Sequence, residues 1–246
     1  ANNRVYASFS IAQKEPTRNN YTDGNADEYP KAEKLLDYEL GYTYRNTWLS
    51  AGANFYYMDY KDQLVLTGEL NEIGEAMARN VPDSYRMGVE LILGVKPCQW
   101  FQWDINGTLS KNRVKNFTEK LYEDEWKNPI EVSHGNTPIA FSPDLILNNR
   151  FSFSYRGFEA ALQSQYVSKQ YMSNARQADQ TLDAYFVSNL NLAYTFKLPH
   201  VKSVTAGFTI YNLFNAEYEN NGYAGSGYKI VKGEVERYNY AGYAAQ

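Results

Sequence analysis

Residues 87–95 read MGVELILGV, and this stretch decides the fold because its apolar side chains recur at every second position. One face is entirely apolar and the other contains small, charged and apolar residues. The first face consists of Met87, Val89, Leu91, Leu93 and Val95, and the second of Gly88, Glu90, Ile92 and Gly94. A period of two predicts a β-strand, since an amphipathic helix would repeat its apolar residues about every 3.6 positions.

The same alternation recurs along the whole chain, at residues 36–45, 49–57, 101–106, 145–154, 189–196 and 204–210. Short turns at 45–47, 97–99, 156–157 and 198–203 alternate with long polar stretches at 15–34, 67–83, 113–138, 173–183 and from 216 onward. We therefore predict about nine strands of roughly 10 to 15 residues, joined as antiparallel hairpins. Only residues 71–80 (NEIGEAMARN) hint at a helical turn, inside a long connection.

The composition excludes several classes of protein. Aromatic residues make up 16% of the 246 residues, led by 23 tyrosines, whereas a disordered chain has few aromatics. The longest apolar run, residues 91–95, is far shorter than the roughly 18 residues of a transmembrane helix. The net charge of -4, without a basic stripe, gives no reason to expect a nucleic-acid partner.

The residue types needed for catalysis or metal binding are scarce. The single cysteine, Cys98, excludes an internal disulfide and cysteine-based zinc or iron–sulfur sites. His134 and His200 are far apart in the sequence, so a shared metal site is not expected. The acidic run 123–125 is interpreted as a solvated loop. We predict no enzyme, and no catalytic, cofactor-binding or metal-binding residues.

A soluble antiparallel sheet would also alternate, but three features indicate that the apolar face contacts lipid. The second face is rich in Gly, Asn, Gln, Ser and Thr, as a hydrated lumen requires. Long loops at one end and tight turns at the other match an outer-membrane barrel. Aromatic residues also cluster at the strand ends, which is typical of girdles at the membrane interfaces. These residues are Tyr42, Tyr44, Trp48, Tyr57, Tyr60, Trp100, Trp103, Tyr155 and Tyr194.

Three segments resemble the C-terminal half of TonB-dependent outer-membrane receptors, particularly those of Bacteroidetes-type bacteria. Residues 210–218 (IYNLFNAEY) are similar to the family's V-x-N-L-F-N-x-x-Y block near the end of the barrel. Residues 6–18 (YASFSIAQKEPTR) are similar to the strand that leads into the extracellular REPTR loop. Residues 30–42 (PKAEKLLDYELGY) are similar to the returning P-E-x-L-x-x-Y-E-L-G-Y strand. The likeness runs in order over essentially the whole chain.

The resemblance implies an all-β fold, a transmembrane antiparallel up-and-down β-barrel of 22 strands around an N-terminal plug domain. The sequence shows no plug, TonB box or signal peptide, and it ends at AAQ (244–246) rather than in the family's aromatic-ended strand. We therefore expect residues 1–246 to be a single segment of the C-terminal barrel domain, a fragment with about nine strands, roughly strands 13 to 21, that cannot close a barrel alone.

The function that the resemblance implies is active transport across the outer membrane of a Gram-negative bacterium. The expected partners are outer-membrane lipid, the TonB–ExbB–ExbD complex acting through the plug, and a bulky nutrient such as a ferric siderophore, haem or cobalamin. A glycan-importing SusC-like transporter with a lipoprotein lid is the nearest alternative. A passive porin would need neither NLFN nor a plug. An outer-membrane enzyme would need a polar dyad at the loop rim, and a soluble β-rich binding module would fold as a monomer without detergent.

Two sets of residues are candidates for function. Loop residues with cationic or aromatic side chains are candidates for substrate contacts, namely Arg18, Tyr21, Tyr122, Trp126, Tyr171, Tyr223 and Tyr228. Charged residues predicted to face the lumen need partners or water, and contact with the plug, hydration and ion pairs on the same wall all remain open for them. They are Glu39, Arg45, Arg86, Glu90, Asp104 and Arg150. The glycine-rich residues 221–227 (NGYAGSG) lack the context of a phosphate-binding loop and are interpreted as a flexible loop tip.

Overall fold

The computed structural model describes residues 2–22, 29–123 and 128–245, and these residues are almost entirely β-structure. The strands are β1 (Asn3–Lys14), β2 (Glu33–Arg45), β3 (Leu49–Leu70), β4 (Ala76–Cys98), β5 (Phe101–Leu121), β6 (Ile130–Pro138), β7 (Leu145–Tyr155), β8 (Phe158–Val167), β9 (Gln170–Tyr171), β10 (Thr181–Leu182), β11 (Tyr185–Leu198), β12 (Val201–Ile210), β13 (Glu219–Val231) and β14 (Glu234–Ala245). A short helix, α1 (Arg18–Thr22), follows β1. No helix in the described ranges is both long enough and apolar enough to cross a membrane.

One antiparallel sheet contains most of the chain. Its strand order is β1-β2-β3-β4-β5-β7-β8-β11-β12, and β6 pairs with β5 beside this path. The predicted hairpin succession of about nine strands is therefore confirmed. Within the described residues β1 and β12 are the free edges, so the sheet is open. The pairs β9–β10 and β13–β14 form separate small sheets.

The short turns lie at one end of the sheet and the long connections at the other, as predicted. The turn between β7 and β8 is Arg156-Gly157, with φ of 50° and 83°. Left-handed values at both positions are typical of the type I′ turn, whose twist matches that of paired strands. The end with these turns is called the turn end below, and the opposite end is called the loop end.

The connection at 67–83 is not the predicted polar loop, because β3 and β4 continue as a long hairpin up to residues 71–75. Asn71 Oδ1 accepts hydrogen bonds from the N–H groups of Ile73 (3.1 Å) and Glu75 (2.8 Å), and Gly74 takes a φ of 83°. These contacts close a tight turn, so the predicted helical turn at 71–80 is wrong.

The region from 216 onward is also more ordered than predicted. Residues 221–227 lie inside β13, which pairs with β14 around the turn Lys232-Gly233. The rings of Tyr240 and Tyr238 of β14 lie directly over Gly225 and Gly227, where any Cβ atom would collide with them. The glycines therefore make room for cross-strand tyrosines, and the prediction of a flexible loop tip is wrong.

The two faces of the main sheet differ as the alternation predicts. On the outer face, Phe9, Tyr38, Tyr57 and Met87 are paired across β1 to β4. An upper aromatic band at the loop end joins Phe9, Tyr38, Tyr57 and Tyr85, with ring centroids 5.0, 6.5 and 6.1 Å apart in that order.

A lower aromatic band lies at the turn end, where Trp100 stacks on Phe153 (5.7 Å) and Trp103 on Phe151 (5.8 Å). Tyr60, predicted to belong to a girdle, lies instead on the opposite, polar face, with its hydroxyl 3.7 Å from Met58 Sδ. Successive side chains of a strand point to opposite faces, so Tyr57 and Tyr60, which are three positions apart, cannot share one face.

The buried apolar core lies at the loop end. One cluster contains Val65, Val81, Val114 and Ile139, and a second contains Met172, Leu182 and Ala224. We call the packed assembly the loop cluster: the β3–β4 hairpin beyond residue 62, β5–β6, residues 139–142, residues 171–182 and β13–β14. It covers the loop end of the polar face, where the paired residues Ser84 and Val114 are completely buried.

Candidate functional site

The loop cluster forms a half-open cavity of about 500 Å³, which lies within the size range of small-molecule sites. Its walls come from residues 29–31, the β3–β4 hairpin, β5, residues 173–175 and β13. Both charged and apolar side chains line it, so the cavity can hold a ligand that is partly apolar and partly polar.

Charged groups from two hairpins face each other in this cavity. The Arg79 guanidinium lies 4.0 Å from the Glu69 carboxylate, and Glu119 and Lys120 of β5 also line the wall. Burial raises the pKa of Glu69, although Arg79 acts in the opposite direction, and Glu119 raises this pKa further. Like charges and desolvation thus keep a carboxyl group here closer to neutrality than in water.

Glu119 is the centre of a hydrogen-bond network that holds the β13–β14 hairpin in place. The Arg237 guanidinium donates to both carboxylate oxygens, at 2.6 and 3.0 Å, and His134 Nε2 lies 2.8 Å from Oε2. Arg237 also donates to Ser226 Oγ (2.8 Å). We call these four residues the Glu119 network. A bidentate pair fixes direction as well as distance, so the network orients the hairpin over β5 and β6.

Buried amides make a second connection between the loops. Gln180 Nε2 donates to the carbonyl of Gly225 (2.6 Å), and its Oε1 accepts from Ser173 Oγ (2.6 Å). Asn174 donates to the carbonyl of Leu66 (2.7 Å) and accepts from the N–H of Ala140 (2.8 Å). Because these polar groups are satisfied within the protein, the cavity wall is held in one arrangement.

The NLFN segment, residues 212–215, forms a turn directly after β12. The N–H groups of Asn212 and Leu213 donate to Asn189 Oδ1 (2.8 Å) and to the carbonyl of Ser188 (2.7 Å). The Asn212 side chain exchanges two further bonds with the backbone of Ala216, at 2.9 and 2.8 Å. With φ of 49° at Asn212, the segment ends β12 and directs the chain toward β13. Its role in this structure is therefore conformational.

The predicted loop contacts do not converge on the cavity. Arg18 and Tyr21 are exposed on α1, and Tyr122 and Tyr171 are partly buried at strand ends. None of these four lines the cavity, and Trp126 lies outside the described residues, as do Asp124 and Glu125 of the acidic run.

The remaining two tyrosines occupy β13. The Tyr223 ring covers Gly242 of β14, and 42% of the residue is exposed. Tyr228 is only 3% exposed, and its hydroxyl donates to the carbonyl of Asn128 (2.5 Å). Tyr228 therefore packs within the docked β13 strand rather than in an open loop, and its role as a substrate contact stays a prediction.

The six predicted lumen charges all lie on the polar face, at several positions along its length. Glu39 accepts from Ser8 Oγ (3.4 Å), Glu90 from Asn54 (3.3 Å), and Arg86 donates to Ser142 Oγ (3.0 Å).

Three of these charges lie near the turn end. Asp104 and Arg150 are directly paired across β5 and β7, yet each bonds to its own strand, to Gln102 (2.8 Å) and Ser152 (3.1 Å) respectively. Arg45 ends β2 and is exposed. Their role as contacts of another domain stays a prediction.

Sequence reasoning missed Glu69, Arg79 and Glu119, which line the cavity. It also missed His134 and Arg237, which contact the Glu119 carboxylate. All five lie in stretches whose composition predicts polar loops, whereas the structure pairs these stretches as strands. The sequence does contain a signal for strands here, because charged residues in 63–70 and 76–81 stand among apolar residues. Among the residues that the structure describes, no three His, Cys, Asp or Glu side chains are placed to hold a metal ion.

Comparison with known proteins gives a consistent result. A family model described as TonB dependent receptor-like, beta-barrel matches residues 1–213. The pesticin receptor of Yersinia enterocolitica is 25% identical over 225 residues, which cover 89% of this chain and 30% of that protein.

Two solved structures show the same fold at low identity. The ferric yersiniabactin uptake receptor FyuA of Yersinia pestis superposes with a TM-score of 0.64 at 22% identity, covering 90% of this chain and 31% of that one. The siderophore receptor PiuA of Acinetobacter baumannii superposes with a TM-score of 0.68 at 15% identity, covering 99% and 32% respectively. The chain thus spans about a third of the length of these proteins.

Proposed function

This chain belongs to the TonB-dependent receptor β-barrel family, and on that premise we propose that it supplies wall and outer loops of a receptor that imports a ferric siderophore. The family consists of outer-membrane transport receptors rather than enzymes. The observation that carries the proposal is the cavity of about 500 Å³, lined by side chains of the loop cluster. A concave site that combines apolar and charged side chains suits a small chelate that is partly apolar and partly polar.

The likeness to siderophore receptors supports the choice of substrate. The relatives named above are described as receptors for ferric yersiniabactin, for a siderophore and for pesticin. Iron is the cargo in this proposal, and the protein would contact the organic chelator. Haem, cobalamin and glycans are the competing cargoes, and the binding experiment below separates them.

The two faces of the sheet support a transmembrane position. The apolar outer face would contact lipid between the two aromatic bands, and the polar face would line a hydrated lumen. In lipid, the unpaired groups of β1 and β12 require neighbouring strands, because a free strand edge is costly there. The loop end then faces the exterior, and the turn end faces the periplasm.

Energy for import would come from TonB, which acts on a plug domain inside the barrel. The six polar-face charges are the proposed contacts of that plug. They lie at several depths of the wall, and the side chains with a hydrogen-bond partner each contact a single neighbouring side chain. Such weak contacts could be exchanged for plug contacts and released again when the plug rearranges.

A binding experiment on the purified protein in detergent tests the proposal. Ferric catecholate, ferric hydroxamate, haem, cobalamin and a linear oligosaccharide would each be titrated while tyrosine and tryptophan fluorescence is followed. We expect one ferric chelate to quench the signal, with micromolar or tighter affinity, and Asn174→Ala to weaken that binding at least tenfold. Ser203→Ala, an exposed change on β12 outside the cavity, is the control. Binding of the oligosaccharide alone would contradict the proposal and favour a glycan importer.

A further inference from the structure

Three tyrosines form a row of rings on one face of the β13–β14 hairpin. Each is paired with a glycine of the other strand, in the pairs Tyr223–Gly242, Tyr240–Gly225 and Tyr238–Gly227. These pairs occupy every second position of the hairpin, and because alternate residues of a strand share a face, the three rings lie on the same side. We call Tyr223, Tyr238 and Tyr240 the tyrosine platform.

The rings of the platform lie along the hairpin instead of standing up from it. The hydroxyl end of each ring fills the space where a Cβ atom of the paired glycine would be. A side chain that stood perpendicular to the sheet, which is the usual direction, would carry its hydroxyl away from the partner strand. An aromatic ring packed on a cross-strand glycine covers the backbone with one side and leaves its other side to the solvent. Accordingly, Tyr223, Tyr238 and Tyr240 remain 42%, 42% and 47% exposed.

The backbone under the platform is held by the loop cluster. Gln180 Nε2 donates to the carbonyl of Gly225 (2.6 Å) and to the carbonyl of Tyr240 (3.3 Å). On the opposite face of the hairpin, Ala224 and Tyr228 are buried. The rings therefore lie on a docked strand pair, and a ligand that stacks on them would not have to order the hairpin first.

The platform offers aromatic surface and hydroxyl groups without a free charge. The next pair on the same face is Lys229 with Glu236, whose side chains are 3.6 Å apart and so balance each other. Within residues 2–22, 29–123 and 128–245, the three platform hydroxyls have no hydrogen-bond partner. An exposed aromatic patch of this kind is typical of an interaction surface. The matching ligand is flat, uncharged and rich in hydroxyl groups.

We propose that the tyrosine platform binds a chain of neutral sugar rings. A pyranose ring carries C–H groups on its faces and hydroxyls around its edge, so it stacks on an aromatic ring while its hydroxyls reach the tyrosine hydroxyls. Positions that share a face are about 7 Å apart along a strand, so the three rings extend over roughly 14 Å. This length exceeds a single sugar ring, which favours an oligosaccharide over a monosaccharide. A planar aromatic acid would also stack, but its carboxylate would meet no unpaired cation between the described rings.

The platform is separate from the matched part of the family model and from the proposed chelate site. The family model ends at residue 213, whereas β13 begins at Glu219. None of the three tyrosines lines the cavity. The proposal therefore adds a carbohydrate site to the receptor, and it does not depend on which chelate is imported.

Isothermal titration calorimetry with cellohexaose, maltohexaose and mannohexaose tests the proposal. The protein is purified in a zwitterionic detergent, since glycoside detergents would compete for the site. We expect at least one hexasaccharide to bind, and Tyr238→Ala to weaken its binding about tenfold. Tyr238→Phe, which keeps the ring, should lose much less. The matched control is Tyr211→Ala, a change of a 77% exposed tyrosine outside the hairpin, and it should bind as the wild type does.

A second variant tests the geometry of the platform without removing a ring. Gly227→Ala places a methyl group where the end of the Tyr238 ring lies, so the ring has to move off the strand. Gly227 does not have a positive φ, so alanine adds no backbone strain there. Binding should weaken severalfold although all three tyrosines are present. Hydrogen exchange of the β13 amides identifies any variant whose hairpin has undocked, and the remaining variant then decides.

Three results would overturn the proposal. The first is that no hexasaccharide binds to the wild type, and the second is that Tyr238→Ala and Tyr211→Ala bind equally well. The third is binding that Asn174→Ala abolishes and Tyr238→Ala does not, which would place the sugar in the cavity and favour a glycan importer. Ferric chelate binding should be unchanged in Tyr238→Ala. If no chelate bound while the platform still bound a hexasaccharide, the siderophore proposal would fail and the carbohydrate site would stand.

Discussion

Val5, Phe9 and Ile11 on the outer face of the sheet are 70%, 56% and 66% exposed, whereas Met172, Leu182 and Val114 in the loop cluster are completely buried. Both regions are rich in apolar side chains, but only the loop cluster covers them with its own residues. In the proposed membrane position lipid covers the outer face, where apolar side chains gain no more by packing on protein than on acyl chains.

The difference teaches that the two regions owe their stability to different surroundings. The loop cluster resembles the core of a soluble protein, with close packing and satisfied polar groups, so truncating its side chains should be costly in any solvent. The main sheet, called the wall below, depends on the alternation of apolar and polar side chains and on the pairing of its strands. It should therefore tolerate truncated side chains on the outer face, but not a charged side chain there.

The largest expected effect comes from Leu182→Ala, which opens a cavity in the loop cluster. Leu182 is completely buried beside Met172 and Ala224, so the change should cost about 2–5 kcal/mol. Hydrogen exchange of the β13–β14 amides, measured in detergent, should accelerate accordingly. Leu91→Ala on the outer face, where the side chain is 55% exposed, is the matched control and should leave these amides unchanged. Equal acceleration in both variants would remove the distinction between the two regions.

The reverse experiment places a charge on the wall. Leu91 lies midway between the rows of the upper and lower aromatic bands, so Leu91→Arg should cost about 2–4 kcal/mol of folding into a bilayer. The measurement is urea-dependent folding into lipid vesicles, monitored by gel mobility. Phe196→Arg, near the turn end, should cost much less because the arginine can reach the interface. If both arginines were tolerated equally, the outer face would not contact lipid as proposed.

The alternation of the wall was predictable because lipid imposes a strict period of two on every strand that crosses it. Residues 87–95 obey it without exception on the outer face, and the structure pairs them accordingly. The turn at Arg156-Gly157 was equally predictable from the sequence, since glycine readily adopts the left-handed conformation that the turn needs.

The loop cluster was not predictable in the same way because its strands are covered by other loops rather than by lipid. The β3 residues beyond Asp62 follow a left-handed residue, with φ of 51°, that shifts the alternation. The contacts of Arg237 with Glu119 span 118 residues, and no local pattern in the sequence specifies them. Polar composition therefore suggested loops where the structure has docked strands.

A smaller effect is expected from Arg237→Ala, which removes the bidentate partner of Glu119. The side chains of Arg237 and Glu119 are 24% and 14% exposed, so the loss should be about 1–3 kcal/mol for the hairpin. Arg237→Lys should recover part of it, because a lysine keeps the charge but not the two parallel bonds. Hydrogen exchange in β13 gives the measurement, with amides of β2 in the wall as the internal reference. Equal protection of β13 in all three proteins would show that the Glu119 network does not hold the hairpin.

The smallest expected effect is a pH dependence confined to the loop cluster. Burial raises the pKa of Glu69 above its ordinary value of 4.5, so the folded state favours the protonated carboxyl. Its contribution to stability is therefore complete below pH 4.5 and is lost as the pH rises through the folded-state pKa.

Glu69→Gln should abolish this slope, and it should make the β3–β4 hairpin at least as stable as in the wild type at neutral pH. Glu72→Gln, an exposed change in the turn of the same hairpin, is the control and should keep the slope. The measurement is hydrogen exchange of residues 63–70, corrected for the intrinsic effect of pH. Because the wall contributes no group to this equilibrium, its amides should show no such difference between variants. Identical slopes in the wild type and Glu69→Gln would contradict the assignment of a desolvated carboxyl to the cavity.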